Sequence, residues 1–469
     1  MGCCVTKTKR SKSFNVKKIP KLTENPEKIM KEYRMETLIK QVDSHYAVYT
    51  CMHLKTKKKY IMKKYHFGGR SEENIMQELE IYKKIDHPYL MTIVEYFKTD
   101  FCVFVIMQYF EGKNLAEYIL EAVKFEENEV IKIVRQILVI VNYMHEKMVI
   151  NRNLDLRNIM YDGNTIKIIG FGRATFFSHG QRFKEPVSNI HYRAPEMIKR
   201  HYNSKVDVWA AGVISYILMT GQPPFDADTV TQKEKNICEQ PLDVEKLREL
   251  DVSEDAIDFL QKALCKQMND RLKADDLLKH KWLEISIRRN SDLKLNKQIV
   301  KNLQEYSYKD NFQRAIYSFL VTKLAHENER KLALKEFQKL DEDKNGVLTK
   351  GELTKGLKRL SIHIDQEDIN KIFKKLDKNQ NGVIEYTNFL EAVVDREEFL
   401  QEENINKCFD YLDVSKSGTI TINDLEKVFG DMINSGYVRK KFQKYSNSSY
   451  INKKNFIRML KDITLAGKE

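Results

Sequence analysis

The chain has 469 residues, of which 42% are hydrophobic and 31% are charged, and its formal net charge is +13. This length allows two or three domains, and the positive charge favours acidic surfaces without selecting a partner. No apolar run approaches the roughly 20 residues of a membrane span, and the seven scattered cysteines form no Cys-x-x-Cys pair, which argues against a membrane helix, a zinc site and a disulfide framework.

The first 32 residues form a basic tail with a lipidation pattern. Met1–Thr6 matches M-G-x-x-x-[ST], in which Gly2 is myristoylated, and Cys3 and Cys4 stand where a second acyl chain can attach. The basic residues that follow are Lys7, Lys9, Arg10, Lys12, Lys17 and Lys18. Because one myristoyl chain binds a membrane only marginally, the pattern predicts a cytoplasmic protein attached to a membrane surface by two signals. The alternative is a basic tail that happens to begin with Met-Gly.

Residues 33–283 carry motifs in a characteristic order. Lys63 ends a strand-like stretch, Glu78 begins ELEIYKKIDHPYL, and Val149–Gly172 predicts a loop and a β-hairpin that runs into Gly-Phe-Gly. Ala194-Pro195-Glu196 and Asp207-Val208-Trp209 come later. In order and spacing, these motifs resemble those of the protein kinase family, including its catalytic loop H-R-D-L-x-x-x-N and its metal-binding D-F-G.

The resemblance implies a bilobal α+β fold with a nucleotide site. It makes Lys63 the lysine that holds the nucleotide phosphates and Glu78 the ion-pair partner of that lysine. Met107 would lie at the gate of the adenine pocket, and Asn158 occupies the position of a ligand for the second Mg²⁺. The activity implied is that of a Ser/Thr kinase using ATP and Mg²⁺.

Three departures contradict that chemistry. Asn153 stands at the position of the catalytic Asp, and a neutral amide cannot accept the proton of a substrate hydroxyl. Gly170 stands at the position of the metal-binding Asp, and the phosphate-covering segment Leu38–Val48 contains no glycine. These departures favour a pseudokinase. The alternatives are a misalignment and a weakly active enzyme in which Asp155 serves as the base.

Residues 284–329 predict a helical junction, since they contain no Gly or Pro and place apolar residues at helical spacing. Residues 330–460 then contain a repeat, with starts at Asp341, Asp377 and Asp413 and a constant step between them. The repeats are EF-hands, each a helix, a 12-residue calcium loop and a second helix. The first loop is complete, and its expected ligands are Asp341, Asp343, Asn345, the carbonyl of Val347, and Glu352.

The remaining loops are degraded. Loop two ends in the neutral Asn388, which predicts weak binding, and loop three ends in Asp424, whose short side chain favours Mg²⁺. A fourth unit has lost its acidic ligands, and we expect it to pair structurally with the third. The ligand positions of loop two are Asp377, Asn379, Asn381, Val383 and Asn388, and those of loop three are Asp413, Ser415, Ser417, Thr419 and Asp424.

The order of tail, kinase-like body, junction and EF-hands resembles the calcium-dependent protein kinase family. In that family the junction occupies the substrate groove and is withdrawn when Ca²⁺ binds, whereas a plain linker would stay packed on the next domain. We therefore expect an α+β bilobal kinase-like fold followed by an all-α, calmodulin-like EF-hand domain.

For function, the sequence favours a calcium-responsive pseudokinase that binds a protein partner. The alternatives are a genuine Ca²⁺-regulated Ser/Thr kinase acting on protein substrates and a plain calcium buffer. Nucleic acid is not expected as a partner, because the dispersed lysines lack interleaved aromatic residues.

Overall fold

The computed structural model describes residues 29, 31–43, 46–68, 72–121, 125–284, 297–306, 311–325, 327–358, 365–378, 380–394, 400–429 and 435–464. Two units are present, one built mainly from residues before Lys294 and one mainly from residues after it. Within the described ranges, no helix combines the length and the apolar character needed to cross a membrane.

A five-stranded antiparallel sheet forms the small lobe of the first unit. Its elements are β1 (Tyr33–Asp43), β2 (Tyr46–His53), β3 (Lys59–His66), α1 (Glu72–Lys84), β4 (Ile93–Lys98) and β5 (Cys102–Gln108). The strand order is β1-β2-β3-β5-β4. Cys51, Met62, Phe97 and Ile106 come from four strands and share one buried cluster, so alternate residues of the strands fill the core. Helix α1 has acidic residues in its first turn and lysines in its last, which suits the helix dipole.

The large lobe is mainly helical. Its helices are α2 (Leu115–Leu120), α3 (Glu127–Glu146), α4 (Pro195–Ile198), α5 (Lys205–Thr220), α6 (Val230–Glu239), α7 (Val244–Glu249), α8 (Glu254–Ala263), α9 (Ala274–Leu278) and α10 (Lys281–Glu284). Its strands are β6 (Lys113–Asn114), β7 (Val149–Ile150), β8 (Ile159–Tyr161), β9 (Ile166–Ile168) and β10 (Thr175–Phe176). Helices α3 and α5 are apolar over most of their surface and pack against each other, which makes them the core of this lobe.

The second unit is all-helical apart from short strand pairs. Its elements are α11 (Lys297–Glu305), α12 (Asn311–Leu324), α13 (Glu327–Leu340), β11 (Val347–Thr349), α14 (Lys350–Lys358), α15 (Gln366–Leu376), β12 (Val383–Glu385), α16 (Tyr386–Val393), α17 (Glu402–Leu412), β13 (Thr419–Thr421), α18 (Ile422–Phe429), α19 (Ser435–Ser446), β14 (Tyr450–Asn452) and α20 (Lys453–Thr464). Strand β11 pairs with β12, and β13 pairs with β14. The pairing of the fourth unit with the third is thereby confirmed.

The junction helices α11 and α12 lie inside the core of this second unit. Ile299, Leu303 and Ile316 are fully or almost fully buried in the cluster that the EF-hand helices form. Phe312 meets Phe442 of the fourth unit edge-on, with ring centroids 6.3 Å apart. Within the second unit, the described part of the junction therefore packs on the EF-hand helices. A calcium-dependent withdrawal from the substrate groove and a permanently packed linker both stay predictions. The predicted fold class, a bilobal kinase-like α+β fold followed by helical EF-hands, is confirmed.

Candidate functional site

The predicted lysine–glutamate pair is present in the cleft of the first unit. Lys63 lies on β3 and Glu78 on α1, and Lys63 Nζ is 3.8 Å from a Glu78 carboxylate oxygen. Both side chains are buried, with 8% and 5% of their surfaces exposed. Lys63 Nζ also donates a hydrogen bond to the carbonyl of Ile169 at 2.9 Å, directly before Gly170. The lysine is therefore fixed at the cleft by protein groups alone.

Two hydrogen bonds and a ring contact join helix α1 to the residues in and around the Gly-Phe-Gly segment. The hydroxyl of Tyr82 donates to the carbonyl of Ile169 at 3.3 Å, and the buried ring of Phe171 meets Tyr82 edge-on at 4.8 Å. Gln77 Nε2 donates to Thr175 Oγ1 at 2.7 Å. Burial raises the pKa of Tyr82, so its hydroxyl stays a hydrogen-bond donor. The arrangement around Lys63 and Glu78 needs no ligand to hold it.

The catalytic-loop backbone is held by Asp207 at the start of α5. The carboxylate of Asp207 accepts the backbone N–H groups of Asn151 at 2.9 Å and Arg152 at 2.8 Å. Arg152 has a φ of +62°, a left-handed conformation that this pair of bonds stabilises. The fully buried Asn151 donates to the carbonyl of Gly170 at 3.2 Å and accepts the N–H of Asn153 at 3.0 Å.

Asn153, Asn158 and Gly170 lie together, as their positions in the motifs predict. Asn158 Nδ2 donates to the carbonyl of Asn153 at 3.1 Å. A Cβ atom added to Gly170 would lie 2.8 Å from Asn158 Cγ, closer than van der Waals contact allows. The Asn158 amide thus occupies the space into which a side chain at position 170 would project. With amides at two positions and no side chain at the third, these three positions offer Mg²⁺ no carboxylate, so only the Asn158 amide and the phosphates of a bound nucleotide could supply oxygen ligands.

Asp155, the alternative base, is already engaged. It is 2% exposed, and its carboxylate accepts the N–H and the Nε–H of Arg157 at 2.9 and 3.0 Å. These hydrogen bonds hold the Asp155 carboxylate against the backbone and the side chain of Arg157. Nothing in this geometry frees Asp155 to take a proton from a substrate.

The phosphate-covering segment is a β-hairpin. Strand β1 pairs with β2 up to the partners Asp43 and Tyr46. Ser44 and His45 lie outside the described part of the chain. Tyr46 stacks on Tyr65 of β3, with ring centroids 4.9 Å apart. The segment that the resemblance made a loop over the phosphates is thus mostly strand.

Three motif residues of the kinase-like domain are buried. Met107 lies next to the end of β5, opposite Ile61 of β3 and Ile93 of β4, and its place at the gate of an adenine pocket stays a prediction. Arg271 forms a two-pronged ion pair with Glu196 at 2.5 and 2.9 Å, and both side chains are almost fully buried. The large lobe therefore retains the buried Glu196–Arg271 ion pair of the kinase motifs, although the cleft departs from those motifs at Asn153 and Gly170.

Calcium loop one brings its three carboxylates together. One oxygen each from Asp341, Asp343 and Glu352 lies within 4.8 Å of the other two, and no other acidic cluster of this kind occurs among the described residues. Asp341 accepts the N–H groups of Asn345 and Gly346 at 2.9 and 2.8 Å. Gly346 has a φ of +77°, the left-handed turn that an EF-hand loop requires. This donor set of hard, charged oxygens fits Ca²⁺.

The completing groups of loop one are also in position. The carbonyl-bearing Val347 begins β11, and Asn345 Nδ2 donates to Asp343 at 2.9 Å. Glu352 is 7% exposed, and one of its oxygens accepts from the N–H and hydroxyl of Thr349 at 2.9 and 2.7 Å. The last ligand of the loop is therefore oriented before any metal binds.

Loop two keeps its turn and Asp377, but its last position holds the neutral Asn388. Asp377 accepts the N–H groups of Asn381 and Gly382 at 3.1 and 3.0 Å, and Asn381 accepts the N–H of Val383 at 3.3 Å. Asn388 lies half-buried on α16. Asn379 lies outside the described residues. Weak binding by this loop stays a prediction.

Loop three is closed by its own hydrogen bonds. One oxygen of Asp424 accepts the N–H of Ser415 at 2.9 Å, and the other accepts from Thr421 at 3.0 and 2.6 Å. Burial opposes ionisation of Asp424, but these hydrogen bonds outweigh it and lower its pKa. Asp413 accepts from Ser417 at 3.0 Å, and the Ser417 hydroxyl donates to the carbonyl of Thr419 at 2.9 Å. The ligand positions of this loop therefore bind one another.

Sequence reasoning missed one group of buried charges. Lys378, the second residue of loop two, forms an ion pair with Glu391 of α16, and their side chains are 2% and 0% exposed. The same carboxylate accepts hydrogen bonds from Ser318 of α12 and, at 3.3 Å, from Tyr306 after α11. Lys378 and Glu391 are 13 residues apart, whereas ion pairs within a helix join residues three or four apart. No sequence pattern therefore predicts this pair.

Comparison with known proteins agrees with this geometry. The family model of the protein kinase domain matches residues 44–283, just over half of the chain, and the EF-hand domain pair matches residues 329–394. Calcium-dependent protein kinase 14 of Arabidopsis thaliana is 30% identical over 332 residues, which cover 69% of this chain and 62% of that protein. Calcium-dependent protein kinase 4 of Plasmodium falciparum is 29% identical over 312 residues, covering 64% of this chain and 59% of the relative.

The chain thus spans about three fifths of the length of the curated relatives it matches. The chain therefore belongs to the protein kinase family, and its kinase domain with the EF-hand pair behind it is homologous to the calcium-dependent protein kinases.

Proposed function

We propose that the chain is a calcium-responsive pseudokinase that signals by binding a protein partner and does not transfer phosphate. The observation that carries this proposal is the cluster of Asn153, Asn158 and Gly170. Phosphoryl transfer needs a group that positions the nucleophile and a metal that neutralises the phosphates, and this cluster supplies neither. The Asn158 side chain also lies where the first side-chain atom of any residue larger than glycine at position 170 would be placed.

The calcium-responsive part rests on loop one and the junction. Binding of Ca²⁺ to a sensor EF-hand reorients its helices and exposes apolar surface. Helices α11 and α12 already lie in that apolar core, and Asn302 Nδ2 donates to the carbonyl of Val393 at the end of α16 at 2.7 Å. A change in hand one or two therefore acts on the junction through direct packing.

Limited proteolysis of the full chain across a calcium titration tests this proposal. We expect cleavage within 297–324 to change with Ca²⁺, and Glu352→Gln to abolish most of the change. Asp424→Asn is the matched control at the same position of loop three and should behave as wild type. A junction whose cleavage is insensitive to Ca²⁺, or a Glu352→Gln variant that responds normally, would contradict the proposal.

A second candidate is a weakly active, Ca²⁺-regulated Ser/Thr kinase that uses ATP and Mg²⁺. The buried Lys63–Glu78 pair and the Glu196–Arg271 pair favour it, because both belong to the active frame of a kinase. Lys63, Glu78, Met107 and Asn158 remain the predicted contacts of a nucleotide. A plain calcium buffer is disfavoured, since it would leave this intact frame without a role.

Membrane attachment through Gly2, Cys3 and Cys4 stays a prediction, because these residues lie outside the described part of the chain. It is compatible with either candidate function.

A further inference from the structure

The fourth EF-hand unit carries a charge opposite to that of the third. Residues 435–464 contain eight Lys or Arg and a single acidic residue, Asp462, whereas residues 402–429 contain six acidic residues and three lysines. The two units pair through β13 and β14. The unit that lost its calcium ligands is therefore strongly cationic beside an acidic partner unit.

The cations converge on one surface of α19 and α20. On α19, Tyr437, Lys441 and Lys444 follow at spacings of four and three residues, which place them on one helix face, and Lys441 Nζ lies 5.8 Å from the Tyr437 ring centre. Lys444 Nζ and Arg458 Cζ of α20 lie 5.6 and 5.9 Å from the centre of the same Tyr445 ring. We call this surface the basic face and define it by Tyr437, Lys440, Lys441, Lys444, Tyr445, Lys454 and Arg458.

Four cations of the basic face are not neutralised by a described residue. There, Lys453 pairs with Asp410 at 3.2 Å, whereas Lys440, Lys444, Lys454 and Arg458 make no ion pair with a described residue. All four of these residues are exposed. Because like charges that share one surface repel each other, an anion at this surface stabilises all of them at once.

We propose that the basic face binds the anionic surface of a phospholipid membrane. Tyr437, which belongs to the basic face, is 40% exposed. Tyrosine close to lysine and arginine is typical of groups that lie at a membrane–water interface. A polybasic patch strengthens attachment through an acyl chain, so the basic face would add to the membrane binding that the lipidation pattern at Gly2, Cys3 and Cys4 predicts. The proposal is independent of the cleft chemistry and of the pseudokinase assignment.

Binding at this face does not need calcium as a bridge. The loop of the fourth unit is closed by the hydroxyls of Ser446 and Ser448, which both donate to the carbonyl of Tyr450 at 2.6 Å. No carboxylate occurs between Ser446 and Asn452. The attraction is therefore electrostatic and is expected to weaken with salt.

Vesicle co-sedimentation of the unacylated full chain tests the proposal. The probes are phosphatidylcholine vesicles with and without one third phosphatidylserine, in EGTA. Each Lys or Arg near an anionic surface is worth about fivefold in partitioning, so the triple variant Lys440→Gln, Lys444→Gln, Arg458→Gln should bind about 100-fold more weakly. The matched control, Lys350→Gln, Lys358→Gln, Lys374→Gln, removes three exposed lysines elsewhere in the unit and should bind as wild type.

The basic amino-terminal tail is the same in all variants, so the difference between the two triple variants reports on the basic face alone. The proposal is overturned if both triple variants bind equally, or if neutral vesicles bind as well as anionic ones. It is also overturned if double-stranded DNA or RNA binds the basic face more tightly than the anionic vesicles do. Circular dichroism of both variants confirms that each is folded.

Discussion

The kinase-type cleft lacks carboxylates at two positions where the kinase motifs have them, whereas the first calcium loop retains its three carboxylate ligands. In the cleft, Asn153 and Gly170 stand at the positions of the catalytic base and the metal ligand. The side chain of Asn158 donates a hydrogen bond to the backbone carbonyl of Asn153. In the loop, Asp341, Asp343 and Glu352 keep their carboxylates within 4.8 Å of one another. Backbone N–H groups stabilise those acids, as they would around a bound cation.

A position without a metal-binding side chain need not leave buried polar groups without hydrogen bonds. Buried polar groups must be hydrogen-bonded, and the amides of the cleft and the Asp424 carboxylate of loop three bond to partners within the protein. The carboxylates of loop one accept hydrogen bonds too, yet one oxygen of each still lies within 4.8 Å of the other two.

The largest expected effect concerns the buried ion pair between Lys378 and Glu391 in the second unit. Lys378→Met leaves Glu391 buried without its cation, and breaking a buried pair in this way costs about 3–5 kcal/mol. Removing both charges, with Lys378→Met and Glu391→Leu together, should cost much less. Denaturant unfolding of the second unit measures both values. A double variant no more stable than Lys378→Met would contradict the statement that the unpaired Glu391 charge causes the loss of stability.

The next effect concerns the acids of loop one. Loss of even an outer partner of a metal ligand costs about 10–100-fold in affinity, so Glu352→Gln should weaken Ca²⁺ binding by more than about 100-fold. Isothermal titration of the full chain measures this. Asp424→Asn should change the affinity little, because its carboxylate is bonded to Ser415 and Thr421. A comparable loss in the Asp424 variant would mean that loop three dominates calcium binding.

A smaller effect is expected in the cleft. Gly170→Ala puts a Cβ 2.8 Å from Asn158 Cγ, and overpacking of this kind costs about 1–3 kcal/mol. Asn158→Ala removes the obstructing amide, so the double variant should be more stable than the sum of the two single effects allows. Thermal unfolding of the four proteins completes the cycle. Strict additivity would refute the statement that the Asn158 side chain fills the space at position 170.

Much of the fold and part of the site could be predicted because they depend on local spacing. The twelve-residue pattern from Asp341 to Glu352 specifies its own ligands, and the position of Lys63 and Glu78 in their motifs predicts the ion pair that the structure contains. The helical periodicity of the junction likewise predicts α11 and α12.

The rest depends on side-chain positions that spacing does not determine. The amide that fills the space at Gly170 and the Ser318–Glu391–Lys378 group arise only when separate segments are packed together. The bonds between Arg157 and Asp155 are local, but they depend on a side-chain conformation that the sequence pattern does not specify. The β1–β2 segment was expected as a loop over phosphates, yet strand pairing continues to Asp43 because glycine-free sequence favours the ladder.

The measurement that tests the central claim most directly is transfer of the ATP γ-phosphate by the purified full chain. The assay uses saturating Ca²⁺, Mg²⁺ and ATP, with a Ser/Thr peptide mixture and the protein itself as acceptors, and Lys63→Met as the control. Loss of a general base alone costs about 10²–10⁴-fold in rate. We expect incorporation no higher than that of the Lys63→Met variant. Phosphate transfer that wild type performs and Lys63→Met abolishes would contradict the pseudokinase assignment and establish the weakly active kinase in its place.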